Sequence, residues 1–262
     1  MHRFSPAIGF LLCLLATHLT AAGPGWNQPP ENWVEGHAVC IAVYSTADKT
    51  WLLYNLPQCK MPLSPCSTFK IPNALIGLGS GVLTGPGDLK TWDGTVHDRE
   101  VLNRDHDLAS AMSNSVVWYF QDVARDVGAA RMQAGLDTFG YGNRDMSGGL
   151  DRFWLGSSLQ INAIEQVEFL RALAGLELPA DVDDQQIVKD LLLQNEGLPA
   201  DFHGRLYGKT GSCSVPGRDH GWFVGWLERG QDTLVFAVNI IGEGLWGADA
   251  RRIAVRVLQE TQ

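Results

Sequence analysis

The run Ser67-Thr68-Phe69-Lys70 places a hydroxyl and an amine three residues apart. On a helix such residues share a face, so Lys70 can reach the Ser67 hydroxyl. A serine hydroxyl is a weak nucleophile until a base takes its proton. A lysine serves as that base only if its amine is neutral, well below its ordinary pKa of about 10.4. Taken alone these four residues also fit the start of an ordinary capped helix. Downstream, Ser115-Val116-Val117 and Lys209-Thr210-Gly211 add a second hydroxyl and a second amine. In this order and at wide separation, the three segments could bring a nucleophile, a proton-shuttling hydroxyl and a cation to one cleft.

The elements that must position them follow from periodicity and turn residues. Ser67–Leu78 reads as a helix ended by Gly79 and Gly81, with a kink expected at Pro72, whose missing N–H breaks a backbone bond. Ser115 precedes a helix over Val116–Asp126. Lys209 ends a short strand, Gly204–Lys209, and the motif then enters Ser212. Ala38–Tyr44 and Trp51–Tyr54 form an N-terminal hairpin across the polar turn Ser45–Lys49. Leu108–Ala111, Ala129–Phe139, Ile164–Leu173 and Asp184–Leu193 carry apolar residues at helical spacing. Gly221–Glu228 and Thr233–Ile240 alternate like strands, and Asp249–Glu260 closes the chain as a helix with Ile253, Val257 and Leu258 on one face. Strands at both ends with helices between predict an α+β fold, an antiparallel sheet from both termini packed on a helical middle.

The chain has 262 residues, 45% hydrophobic and 19% charged, enough for one large domain or two intertwined lobes. Arg3, the short apolar run Ile8–Leu15 and the small residues Thr20-Ala21-Ala22 read as a secretion signal over residues 1–22, leaving 23–262 as the mature domain. The apolar run is too short for a membrane anchor, and Cys13 lacks the preceding small residue of a lipoprotein signal. The net charge of −9, without a basic stripe, argues against nucleic acid and anionic membranes as partners. Cys40, Cys59, Cys66 and Cys213 remain after the signal; two disulfides are possible, in three pairings. No Cys or His spacing suggests a metal site. The seven histidines show no triad-like spacing and read as structural or exposed.

Together the three segments resemble the class D (oxacillinase-type) serine β-lactamases. The resemblance runs from about Pro65 to the C-terminal helix. It includes Tyr141-Gly142-Asn143, Phe153-Trp154-Leu155-Gly156-Ser157-Ser158-Leu159 and Gly221-Trp222-Phe223-Val224-Gly225-Trp226. It implies the penicillin-recognising serine-enzyme fold and a secreted, periplasmic enzyme that hydrolyses β-lactams and confers resistance. It further implies that Lys70 carries a CO2 adduct (N6-carboxylysine), so that CO2 or bicarbonate is needed and no other cofactor. A carbamate forms only on a neutral amine, and Phe69 and Val117 offer apolar walls for that. Trp154 matches the tryptophan whose indole N–H donates to the carbamate. Ser67 would attack the lactam carbonyl, and the backbone N–H groups of Ser67 and Ser212 would hold the oxyanion. Ser115 would pass a proton to the lactam nitrogen. Lys209, Thr210, Gly211 and an arginine of the last helix, Arg251 or its neighbour Arg252, would bind the substrate carboxylate, with Arg251 preferred.

Convergence of Ser67 and Ser212 on one oxyanion hole would bring their neighbours Cys66 and Cys213 close, within disulfide range. A bridge at the same two motif positions occurs in certain class A carbapenem-hydrolysing enzymes. Exclusion then pairs Cys40 with Cys59. Three other functions were open to such a chain: a D,D-peptidase of cell-wall synthesis, a β-lactam sensor that acylates once, and an inactive binding module. Peptidases and sensors carry asparagine where Val117 stands, and sensors are tethered by several transmembrane helices. Substrate spectrum and the choice between monomer and homodimer are not written in the sequence.

Overall fold

The structure, a computed structural model, describes Val34, residues 36–215 and residues 217–260. The signal expected over residues 1–22 lies outside the described residues. Strands β1 (Ala38–Ser45) and β2 (Thr50–Tyr54) form the expected hairpin, followed by the short helix α1 (Leu56–Cys59). A 3-10 turn, Cys66–Phe69, leads into α2 (Lys70–Gly79). The helical middle then holds α3 (Leu108–Ser113), α4 (Val117–Val127), α5 (Ala129–Phe139), α6 (Ala163–Ala174) and α7 (Val182–Leu191). Strands β3 (Arg205–Val215), β4 (Arg218–Arg229) and β5 (Asp232–Ile241) and helix α8 (Gly247–Glu260) complete the chain.

The five strands form one antiparallel sheet in the order β2-β1-β5-β4-β3. Strands from both chain ends thus share one sheet, because β1 pairs with β5 along its whole length. Alternation divides the central strands between two cores. Cys40, Ala42, Trp222, Val224 and Trp226 face the helical middle. Val39, Ile41, Phe223, Phe236 and Val238 face α8, packing against Ile253, Val257 and other apolar residues of that helix. Cys40 and Cys59 are bonded, Cα atoms 5.1 Å apart, tying β1 to α1. Among the described residues no helix is long and apolar enough to cross a membrane.

Two sequence expectations are corrected. Pro72 does not kink a helix, because the first turn is 3-10 and α2 begins only at Lys70. Pro72 therefore sits in the first turn of α2, where its missing N–H has no intrahelical partner to lose. Lys209 does not end a strand. β3 runs on through Thr210, Gly211 and Ser212 to Val215, paired to β4 throughout.

Beside that motif β3 and β4 meet at two glycines, Gly208 and Gly225. A Cβ on Gly225 would overlap the Tyr207 carbonyl and lie 2.7 Å from the Gly208 Cα. Gly225→Ala is expected to push β3 off the sheet and lower stability by about 1–3 kcal/mol, as overpacking does. Urea unfolding checks this: an unchanged midpoint would show that β3 tolerates the shift.

Candidate active site

The nucleophile's turn is set by strain at its first residue and by a buried polar scaffold beneath it. Cys66 takes φ 53°, a left-handed conformation that costs a non-glycine residue about 1–3 kcal/mol and persists only where the surroundings enforce it. Here the Cys66 N–H donates to the Trp154 carbonyl at 3.0 Å. The Ser64 hydroxyl donates to the same carbonyl at 2.7 Å and accepts the Gly156 N–H at 3.0 Å. The Ser64 carbonyl accepts from the Trp222 indole at 3.0 Å and meets His220 Nε2 at 3.0 Å. On the next residue, Thr68 Oγ1 donates to the Pro65 carbonyl at 2.8 Å and accepts from Gln166 Nε2 at 3.0 Å. Tyr141 closes that chain by donating to Gln166 Oε1 at 3.3 Å.

In a 3-10 turn residues i and i+3 eclipse, so Lys70 stacks directly on Ser67. Lys70 Nζ donates to Ser67 Oγ at 2.8 Å. Ser67 is half-buried, whereas Lys70 is 0% exposed. Burial holds the Lys70 amine well below its ordinary pKa, and the charges of Lys209 and Arg99 push it the same way. The ring that Lys70 Nζ meets is that of Phe120, 5.6 Å to its centroid. Of the two expected walls, Phe69 is buried and stacked on Trp154 at 5.1 Å, while Val117 opens α4 half-buried. Trp154 itself is 1% exposed. Among the described residues no protein group accepts its indole N–H.

Across the cleft, Lys209 Nζ donates to Ser115 Oγ at 3.0 Å and to the Thr210 carbonyl at 3.2 Å. Burial lowers the Lys209 pKa to about 7, with Arg99 adding to the effect. Ser115 is the second strained residue, at φ 56° in the link between α3 and α4. Two hydroxyl–amine pairs are thus assembled: Ser67 with Lys70, as the spacing predicts, and Ser115 with Lys209, a pairing the sequence did not indicate.

The strand edge explains the rest of the motif. Gly208 N–H donates to Leu192 O and Gln194 N–H to Leu206 O, so even-numbered residues here turn their peptide groups off the sheet's free edge. By alternation the N–H of Ser212 also points off that edge. Gly211 faces the nucleophile's turn; a Cβ there would lie 2.8 Å from the Pro65 carbonyl and 3.0 Å from Thr68 Cγ2. Glycine is required because turn and strand touch. Thr210 and Ser212 meet the start of α8 instead, where the Gly247 N–H donates to Ser212 Oγ at 2.9 Å. Cys66 and Cys213 are bonded with Cα atoms 5.8 Å apart, joining turn and strand covalently. His220 Nε2 lies 3.3 Å from Cys66 Sγ, making His220 a buried structural histidine.

Arg251 is half-buried and spends its guanidinium on backbone, donating to Glu196 O at 2.8 Å and Gly197 O at 3.1 Å. Arg252 instead lies 3.6 Å from Asp249. Glu196 lines a cavity of about 320 Å³ together with Lys209, Thr210, Gln194 and Met112, so Arg251 holds one wall of a cavity that adjoins the site through Lys209 and Thr210. Sequence reasoning missed Phe120, Ser64, Gln166 and Arg99. Phe120 lay on the buried face of a predicted helix, one turn after Val117, and could have been found that way. Ser64, Gln166 and Arg99 carry no motif signal.

The chain matches the penicillin-binding protein transpeptidase domain family over residues 26–260. It is 43% identical to the probable β-lactamase YbxI of Bacillus subtilis, over 81% of this chain and 76% of that protein. It is 41% identical to β-lactamase OXA-48 of Klebsiella pneumoniae, over 88% of this chain and 89% of that one. The solved class D β-lactamase BAT-2 superposes with a TM-score of 0.82 at 37% identity, covering 90% of this chain and 96% of the other. Taken with a cleft in which each serine meets a buried lysine, these likenesses over nearly the whole fold show that the chain belongs to the class D β-lactamases of the penicillin-binding transpeptidase family.

Proposed function

We propose that this chain hydrolyses the β-lactam ring of penicillins and related antibiotics through an acyl-enzyme on Ser67, is exported to the periplasm, and confers resistance there. The observation that carries the reading is the buried Lys70 amine 2.8 Å from Ser67 Oγ, facing a second amine–hydroxyl pair 3.0 Å apart. When carboxylated, Lys70 supplies an anionic base that serves both acylation and deacylation. The residues fit that group: burial disfavours the ammonium, and the indole N–H of Trp154, whose ring is buried, has no acceptor among the described residues. Ser67 Oγ attacks the lactam carbonyl, losing its proton to the side of Lys70. The N–H groups of Ser67 and Ser212 receive the developing oxyanion, each such donor being worth about 3–4 kcal/mol in the transition state. Ser115 returns a proton to the lactam nitrogen, and Lys209, 3.0 Å from it, replenishes that proton. Lys209 with Thr210 meets the substrate carboxylate, and Arg251 assists by shaping the Glu196 wall.

Lys70→Ala is expected to lower turnover about a hundredfold or more, the scale of a lost general base, while Ser67 still acylates slowly. The sign of the pH dependence follows from burial. As pH falls through the lowered Lys70 pKa, the amine takes a proton and can no longer accept CO2. Activity should therefore fade on the acid side, and added bicarbonate should restore it. Hydrolysis of a chromogenic cephalosporin with and without bicarbonate tests this. Full activity of Lys70→Ala, or a stable acyl adduct without turnover in the native chain, would contradict it; the latter would mark a sensor.

Trp154→Phe keeps the ring that stacks on Phe69 and removes the indole N–H. A hydrogen bond to a charged group is worth about 1.5–3 kcal/mol, so half-maximal activity should need roughly tenfold more bicarbonate or beyond. An unchanged bicarbonate requirement with unchanged folding would remove Trp154 from the assignment.

A further inference from the structure

Beside the nucleophile's turn lies a cluster of donors that the reaction does not use. Cys66 Sγ, Cys213 Sγ and His220 Nε2 lie within 4.8 Å of one another, and all three residues are buried. His220 Nε2 stands 3.3 Å from Cys66 Sγ. The Ser64 carbonyl is 3.0 Å from the same nitrogen and 3.3 Å from the same sulfur. Among the described residues this is the one grouping of three His, Cys, Asp or Glu side chains close enough to share an ion.

In the oxidised chain the two sulfurs are bonded to each other and the cluster is closed. We propose that the reduced chain holds a thiophilic divalent cation, Zn2+ or Cd2+, on Cys66 Sγ, Cys213 Sγ and His220 Nε2, with the Ser64 carbonyl at the fourth corner. A dithiol reductant gives two electrons and two protons to the Cys66–Cys213 bond and leaves as its own disulfide. The cation then displaces both thiol protons, as metal binding to cysteine does. Two thiolates cancel its double charge, which is what permits a site in the protein interior, where an isolated ion would be costly. Zn–S bonds of about 2.3 Å and Zn–N bonds of about 2.0 Å set tetrahedral ligand atoms roughly 3.3–3.8 Å apart. The Cys66 sulfur already has that spacing from the imidazole nitrogen and from the Ser64 carbonyl, so the main movement is the parting of the two sulfurs. His220 Nε2 binds through its lone pair once its proton has moved to Nδ1, which has no partner at present.

A metal site needs an entry path as well as donors. A cavity of about 200 Å³ reaches the cluster, with Ser64 and His220 in its wall beside the exposed residues Pro62, Gln160 and Arg218. Arg218 carries an opposing charge there, which the two thiolates outweigh. Cys66 adjoins Ser67 and Cys213 adjoins Ser212, so parting the sulfurs moves the two proposed oxyanion donors apart. The loaded chain should therefore hydrolyse β-lactams more slowly. That consequence rests on the proposed function, whereas ion binding does not.

The bland reading leaves His220 as a packing residue beside an ordinary disulfide. Cadmium titration of the purified chain, reduced with a phosphine under nitrogen, separates the two. The cadmium–thiolate absorption and cadmium-113 NMR should report one ion per chain with sulfur and nitrogen donors. The oxidised chain should bind none, and reduced Cys66→Ser and Cys213→Ser should lose the site although Cys40 and Cys59 are reduced with them. His220→Gln should weaken binding by more than the roughly 10–100-fold lost with an outer-shell partner. Because a ligand of the folded state raises its stability, cadmium should raise the unfolding midpoint of the reduced native chain and leave that of reduced His220→Gln nearly unchanged. Equal binding by His220→Gln or Cys66→Ser would overturn the proposal, and so would a reduced chain that stays unfolded with cadmium present. A chain that bound cadmium as expected but never hydrolysed benzylpenicillin would refute the proposed function and leave the ion site standing.

Discussion

Burying a lysine ammonium costs several kcal/mol even after the protein relaxes around it, and this chain buries two lysines at one cleft. Lys70 is wholly enclosed and Lys209 is 5% exposed. Each has a serine hydroxyl as its nearest partner, and no carboxylate is bonded to either among the described residues. A carboxylate partner would have stabilised the ammonium and left Lys70 useless as a base. The Phe120 ring lies beside the amine in its place, so the cost of burial falls on the proton. The rest of the fold can be read as the means of keeping that cleft dry and its two sides in register.

The two sides come from distant parts of the chain. One is the Cys66–Phe69 turn and the other the free edge of β3, and they touch through a glycine that leaves no room for a side chain. The Cys66–Cys213 bond closes a sequence separation of 147 residues across that contact. In the chain-entropy model such a bridge contributes up to about 5 kcal/mol by restricting the unfolded chain. Ser64 binds the same junction without covalent chemistry, tying the turn to the Trp154–Gly156 loop and to β4. Two residues held in left-handed conformations, Cys66 and Ser115, lie beside or within the two hydroxyl–amine pairs. Strain is concentrated where the reacting groups must be aimed.

Much of this was legible in the sequence, because hydrophobic periodicity located nearly every helix and strand, and residue spacing located the Ser67–Lys70 pair. What was not legible shares a physical cause. Pro72 looked like a kink only because an α-helix was assumed from Ser67 on; the 3-10 turn that precedes Lys70 has no period of its own to read. Lys209 seemed to end a strand because Gly211 and the serines that follow it look like turn residues. Gly211 is small because the nucleophile's turn presses on it, and the Ser212 hydroxyl bonds the start of α8. Ser64, Gln166 and Arg99 act through hydrogen bonds to partners roughly 15 to 160 residues away, and nothing local marks such contacts. Arg251 could be placed on the correct helix, yet only the fold shows its donors committed to Glu196 and Gly197.

The central claim is that burial keeps Lys70 as a free amine able to take up CO2. Carbon NMR of the enzyme in labelled bicarbonate tests it directly, since the adduct gives a carbamate signal distinct from bicarbonate and dissolved CO2. One carbamate signal per chain near neutral pH, absent from Lys70→Ala and fading as the solution is acidified, is the expected result. Active enzyme that shows no such signal at saturating bicarbonate would contradict it, and would leave the unmodified amine, 2.8 Å from Ser67, as the base.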